Sequence, residues 1–453
     1  MSRGLAAALV TCLFITASAG AAPAGAAPIR LAPGEQTLRD GLTVAVRQLT
    51  SAPIAAIELW VRCPSNGYAP LRPGVARVAA YSLLAQKYAG LSLREEVRAD
   101  GGRVVISVFP MATEYAVVVP SFAAQRFIGA LGKRLFHPVI DSAAFDAGRA
   151  AAGAELAASA AIPDVAFRDA IFAAAFGSGP LHVSTYGDPQ ALKLTSAADV
   201  RGFVAKAYVP ANEIAVVVGN VSPQEMARAI GAAAPLPQPQ TAMPASMRST
   251  SALPAAVPSV DLPGVALGWT GPPVSDEAAA TAMDFLSDYL TRPGSGIVTK
   301  ALAAADPGAE FSGQFITLRD AGVFYISVAN PKADSKAVSI AEDAIRPVAT
   351  QTLGGSEFER AIEAFRTHIL RDTQTAQALA DNYGWYFVQE TPAYAPSAIE
   401  GDFAGDYFTQ VSALTPQFVF ETARKYLSAP SIRIEGSVRV VPTSAPSASH
   451  ALR

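Results

Sequence analysis

A stretch rich in proline, serine and alanine, PLPQPQTAMPASMRSTSALPAAVP, runs from Pro235 to Pro258. Its prolines lack a backbone donor and clash with a preceding helical turn, so it reads as an interdomain linker. It divides the chain into halves of similar size, and the two halves present their elements in the same order. The first half offers a strand at Ile54–Val61, a helix at Pro73–Ala89, strands at Gly102–Phe109 and Tyr115–Pro120, and a helix at Phe122–Phe136. Helices at Ser142–Ala160 and Val165–Ala175, a Thr195-capped helix and an apolar strand at Ile214–Val218 complete it.

The second half repeats this succession. A strand at Val265–Trp269 precedes a helix at Asp276–Tyr289, strands at Glu310–Ile316 and Val323–Ala329, and a helix at Ser335–Ala349. Long helices then cover Glu357–Ala376 and the region around Tyr383, and a Thr415-started helix ends near Tyr426, before a strand at Ile432–Val440. A repeat this long is too long for a solenoid. The expected fold is therefore α+β: two homologous domains, each an antiparallel sheet with helices on one face, whose first and last strands pair. The domains are expected at 27–234 and 259–442, with a flexible tail at 443–453.

The N-terminus, MSRGLAAALVTCLFITASAGAAPAGAAP, places Arg3 before an apolar run and then small residues in A-x-A steps. The run is shorter than a membrane span requires, so residues 1–26 read as a cleaved export signal and the mature chain as periplasmic or otherwise exported. Cleavage removes Cys12 and leaves Cys63 without an internal partner, at the end of the apolar run IAAIELWVRC, where a packed thiol is expected. With 35 basic and 38 acidic residues among 453, the net charge of −3 gives no basic face for nucleic acid.

The order and spacing of several segments resemble the pitrilysin-type (inverzincin) zinc peptidases. These are GVARVAAYSLLAQKYAG, ADGGRVVISVFPMATEYAVVVP, YGDPQALKLTSAADVRGFVAKAYVPANEIAVVVGNV, LGWTGPPVSDE and DAGVFYISVANP. The resemblance implies a zinc motif on the first of these: two histidines one helical turn apart, with a glutamate between them that activates water. In this chain those positions hold Arg77, Ala80 and Tyr81, and the third-ligand position falls on Glu155. Arginine stays protonated, alanine accepts no proton, and one carboxylate builds no zinc site.

The four histidines, His137, His182, His368 and His450, include no pair within one helical turn, and no cofactor is expected. His137 reads as a helix-end residue. The resemblance also implies subunit pairs in which a zinc-less member supplies an arginine and a tyrosine to bind the substrate carbonyl, and here those positions fall on Ala303 and on Glu310 or Phe311. Arg319 and Tyr325 imitate the spacing, but read better as a turn residue and a sheet residue. The aromatic group Tyr383, Trp385, Tyr386 and Phe387 reads as helix core, with an interface or peptide anchor as the alternative.

The function these readings imply is that of a non-catalytic exported subunit. It would pair with a zinc-bearing pitrilysin-like subunit to form a peptide-degrading chamber. A stand-alone peptide-binding or scaffold homodimer is one alternative, and a metallopeptidase with a relocated metal site is another.

Overall fold

The computed structural model describes residues 34–37, 41–65, 67, 72–177, 180–234, 260–332, 336–389, 403–428, 430 and 432–436. The signal segment, the linker and the tail read from the sequence lie outside them.

Strands β1 (Gly34–Thr37), β2 (Thr43–Gln48) and β3 (Ile54–Arg62) open the first half, followed by α1 (Val75–Ala85) and α2 (Leu93–Ala99). Next come β4 (Arg103–Val108), β5 (Ala112–Pro120), α3 (Ala124–Leu135), α4 (Ser142–Ser159) and α5 (Pro163–Phe176). Short α6 (Pro189–Leu194), α7 (Ala197–Ala207), β6 (Glu213–Gly219) and α8 (Pro223–Ala233) end the half. The second half runs β7 (Gly264–Thr270), α9 (Glu277–Thr291), α10 (Ile297–Ala305), β8 (Glu310–Ile316) and β9 (Val323–Ala329). It finishes with α11 (Ala337–Thr350), α12 (Gly355–Asp372), α13 (Ala376–Gln389), α14 (Phe403–Ala413), α15 (Pro416–Tyr426) and β10 (Ile432–Glu435).

The first sheet has the order β1-β2-β6-β3-β5-β4 and the second β10-β7-β9-β8. The second therefore repeats the β6-β3-β5-β4 portion of the first, with the last strand of each half beside the first strand of the repeated unit. All pairings are antiparallel except β2 beside β6. The α+β architecture read from the sequence is the one observed.

Local chemistry shifts a few boundaries. Thr195 ends α6, with its hydroxyl donating to the Ala191 carbonyl, and the cap of α7 is Ser196, in a capping box with Asp199. The helix expected through Ala376 stops at Asp372. There the Thr373 hydroxyl donates to the Ile369 carbonyl, and Thr375 Oγ1 accepts from Ala378 N as α13 begins.

The expectation of helices on one face of each sheet holds for each half's own bundle, and the other face is also covered. Helices α1, α3, α4 and α7 share a core with Val44, Ile57, Leu59, Tyr115 and Val217 on one side of the first sheet. On its other side lies α13, from the second half, whose Leu379, Ala380, Tyr383 and Phe387 pack on Ala56, Trp60, Ile214 and Val216. The exchange is reciprocal. Helix α5, from the first half, lays Phe167 and Ile171 on Ala266, Tyr325, Ile432 and Ile434 of the second sheet.

Close approach requires glycine in both seams. A Cβ on Gly268 would stand 2.9 Å from Ile171 Cδ1, and one on Gly384 would overlap the Trp60 indole. The aromatic group on α13 is thus core. Tyr383 and Phe387 are buried, Trp385 and Tyr386 are half-buried, Trp385 meets Phe109 edge-on, and Phe109 stacks on Trp60.

Candidate functional site

Helix α1 carries Arg77 and Tyr81 one turn apart, and α4 carries Glu155. The two helices cross where Gly148 meets Ser82, so closely that a Cβ on Gly148 would stand 2.5 Å from Ser82 N. Glu155, two turns beyond Gly148, is thereby laid against the face of α1 that Arg77 and Tyr81 share. Gly74, left-handed at φ 88°, starts α1, and its Cα packs against Gly187, which also has a positive φ. That contact draws the 184–187 segment over the first turn of α1.

Arg77 is enclosed on every described side. Its Nη1 donates to Glu155 Oε2 at 2.6 Å, its Nε donates to the Thr185 carbonyl at 3.1 Å, and its guanidinium lies 4.2 Å from the centre of the Tyr186 ring. Tyr81 OH donates to the same Glu155 Oε2 at 2.7 Å. Burial, followed by the Glu155 carboxylate, pushes the Tyr81 hydroxyl up to about 12, so it stays protonated at neutral pH. Ala80 is fully buried between these two residues and packs in the core.

The structure therefore brings together Arg77, Tyr81 and Glu155, the positions where the resemblance implies metal ligands. The residues present do not fit zinc. A guanidinium keeps its protons and offers no lone pair, and it neutralises the carboxylate as a cation would. The oxygen of Glu155 that faces α1 already accepts two charge-assisted or short bonds. No base stands at Ala80 to take a proton from water.

The other sequence candidates are dispersed. His137 is exposed just beyond α3 rather than inside a helix, and His182 Nδ1 pairs with the Ala173 carbonyl. His368 Nδ1 pairs with Asp288 at 2.9 Å, and His450 lies outside the described residues. Arg319 sits in the bend between β8 and β9, and Tyr325 is a buried residue of β9. The Tyr325 hydroxyl crosses to the first half, donating to Asp164 Oδ1 on α5 at 3.1 Å. Ala303 and Glu310 are exposed, and Phe311 is half-buried against the second-half core. Cys63 is fully buried beside Thr113 Oγ1, and burial pushes its thiol up to about 12.

One group escaped the sequence reading. Glu58 on β3, Glu114 on β5 and Asp381 on α13 bring carboxylate oxygens within 4.8 Å of one another. Its signal was a charge set inside apolar strands, Glu58 in IAAIELWVR and Glu114 in ATEYAVVVP. The third member belongs to the other half.

Residues 195–365 match the family model described as the peptidase M16 inactive domain. Solved structures share the fold along nearly the whole chain. A protease from Helicobacter pylori has 17% identity and a TM-score of 0.73, over 90% of this chain and 99% of its own. The fold is pitrilysin-like. The peptidase M16 inactive domain structure from Pseudomonas fluorescens has 15% identity and a TM-score of 0.74, over 90% of this chain and 98% of its own. A chain of complex III2 from Candida albicans, with Inz-5 bound, has 14% identity and a TM-score of 0.69, over 89% and 95%. No curated protein matches the sequence. The resemblance read from the sequence segments is thus borne out in the fold.

Proposed function

We propose that this chain is a non-catalytic, exported pitrilysin-like subunit that pairs with a zinc-bearing subunit and helps form its peptide chamber. The observation that carries the reading is the closed Arg77–Glu155–Tyr81 cluster, in which a fixed guanidinium occupies the place of a metal and its ligands. A site built this way holds α1 against α4 and leaves no group to activate water. Pairing draws support from the M16-type fold and from its likeness to a chain of a multisubunit assembly. Export rests on the signal-like sequence at residues 1–26.

The test is to purify the chain alone and together with zinc-bearing pitrilysin-like subunits, then to measure zinc content, co-elution and peptide cleavage. The expected result is no stoichiometric zinc in the isolated chain, and a complex that cleaves faster than the zinc subunit alone. Stoichiometric zinc with chelator-sensitive cleavage by the isolated chain would overturn the reading in favour of a relocated metal site. A self-associated chain that no zinc subunit joins would overturn the pairing and leave a homodimeric peptide binder.

A further inference from the structure

The three carboxylates of Glu58, Glu114 and Asp381 lie on the side of the first sheet that faces α13, away from the Arg77 cluster. Glu58 and Glu114 are 1% and 3% exposed, and Asp381 is half-buried. Three negative charges this close in a low-dielectric seam require compensation. The compensation from neighbouring side chains is partial. Trp60 Nε1 donates to Glu58 Oε2 at 2.8 Å, and Arg103 acts on Asp381 from a distance while it donates to Gln377 Oε1.

At the three acids and beside them, two buried oxygens have no hydrogen-bond partner among the described residues. Glu58 Oε1 meets no donor, and Asp381, which approaches both glutamates, offers none as a carboxylate. Ser107 is 3% exposed and stands opposite Glu114 in the β4–β5 register, so both side chains share the α13 face. Its Oγ lies beside Glu114, and it is fully enclosed with no geometric hydrogen bond among the described residues. It is not one of the three acids, yet it faces the seam beside Glu114.

We propose that Glu58, Glu114 and Asp381, with Ser107 beside them, bind one hard divalent cation of the Ca²⁺, Mg²⁺ or Mn²⁺ class, which clamps α13 of the second half onto the sheet of the first. The donor set is all oxygen, which suits these ions and not thiophilic or imidazole-preferring ones. The spacing fits as well. Calcium–oxygen distances of about 2.4 Å allow ligands on opposite sides of one ion to stand about 5 Å apart, and these oxygens lie within 4.8 Å. A divalent ion would leave a single net negative charge facing Arg103. The rival arrangement is protons shared among the three carboxyls.

Terbium and calcium distinguish the two, using the full mature chain stripped with chelator. Trp60 lies in hydrogen-bond contact with Glu58, so Tb³⁺ at this site gives tryptophan-sensitised emission. The expected result is saturable emission at one ion per chain, displaced by Ca²⁺ or Mn²⁺, with a rise in melting temperature on adding either ion to the stripped chain. Asp381→Asn and Glu58→Gln should each weaken Tb³⁺ binding at least tenfold, with folding checked by circular dichroism. If Glu58→Gln fails to fold, the half-buried Asp381→Asn variant and the wild-type stoichiometry decide. Absence of both emission and thermal shift in the wild-type chain overturns the proposal. So does emission unchanged in the folded variants.

Discussion

Gly384 on α13 faces Trp60 on β3 so closely that a Cβ there would come within 2.6 Å of the indole Cδ1. This contact sits in the seam where a helix of one half closes the sheet of the other. Gly384→Ala normally favours a helix by about 1 kcal/mol. Here overpacking reverses the sign, and we expect a net loss of about 1–3 kcal/mol. Urea denaturation of the variant checks it, and an equal or higher midpoint would mean that the seam yields.

Arg77→Ala removes a guanidinium that is 4% exposed and leaves Glu155 bonded to Tyr81 alone. Stripping one partner from a mostly buried pair costs about 2–4 kcal/mol, whereas Glu155→Gln, which keeps an acceptor, should cost less. A double-mutant cycle across Arg77 and Glu155 should return a coupling of at least about 1 kcal/mol. A coupling near zero would show that the pair does not hold α1 to α4.

Asp284, half-buried on α9, accepts from Tyr407 OH at 2.6 Å and from Thr317 Oγ1 at 3.4 Å. Burial outweighs both bonds and pushes its carboxyl up to about 7, against about 3.9 for an unfolded aspartate. Between those values the native state keeps a proton that the unfolded state has lost. Its stabilising contribution is therefore full below about pH 4 and is lost as pH rises to about 7. The amount is on the order of 4 kcal/mol. Asp284→Asn should flatten that part of the profile. Melting temperatures at pH 5 and pH 8 for both proteins test it, and an identical pH difference in the variant counts against the assignment.

Cys63 should behave as core. Its thiol is fully buried and its ionisation is pushed up to about 12, so a thiol reagent at pH 8 should label the native mature chain slowly. Labelling should become complete once denaturant unfolds the chain. Rapid stoichiometric labelling in the native state would place Cys63 in an open environment.

Much of the fold was legible because hydrophobic period, proline and cap chemistry act locally. The elements of both halves, the pairing of Ile54–Val61 with the strand at Ile214–Val218, and the loss of metal ligands at Arg77 and Tyr81 and of the base at Ala80 could all be read from residue types and their order. Boundaries slipped where a threonine hydroxyl chose a backbone partner, as at Thr195 and Thr373. Strands such as IAAIELWVR and VFYISVA are apolar on both faces, which fits cover on both sides, yet the sequence reading placed helices on one face only.

What covers them was decided by tertiary structure. Helices α5 and α13 cross to the opposite half, and no local pattern names the sheet on which an apolar helix will lie. The same holds for the two clusters of charge. The substitutions at Arg77, Tyr81 and Glu155 are visible in the sequence, but their closure into one bonded group depends on the Gly148–Ser82 crossing. The meeting of Glu58 and Glu114 with Asp381 depends on the helix exchange. Residue identity sets what each group can do chemically, while long-range packing sets which groups meet, because side chains hundreds of residues apart are brought into contact only by the burial of the faces between them.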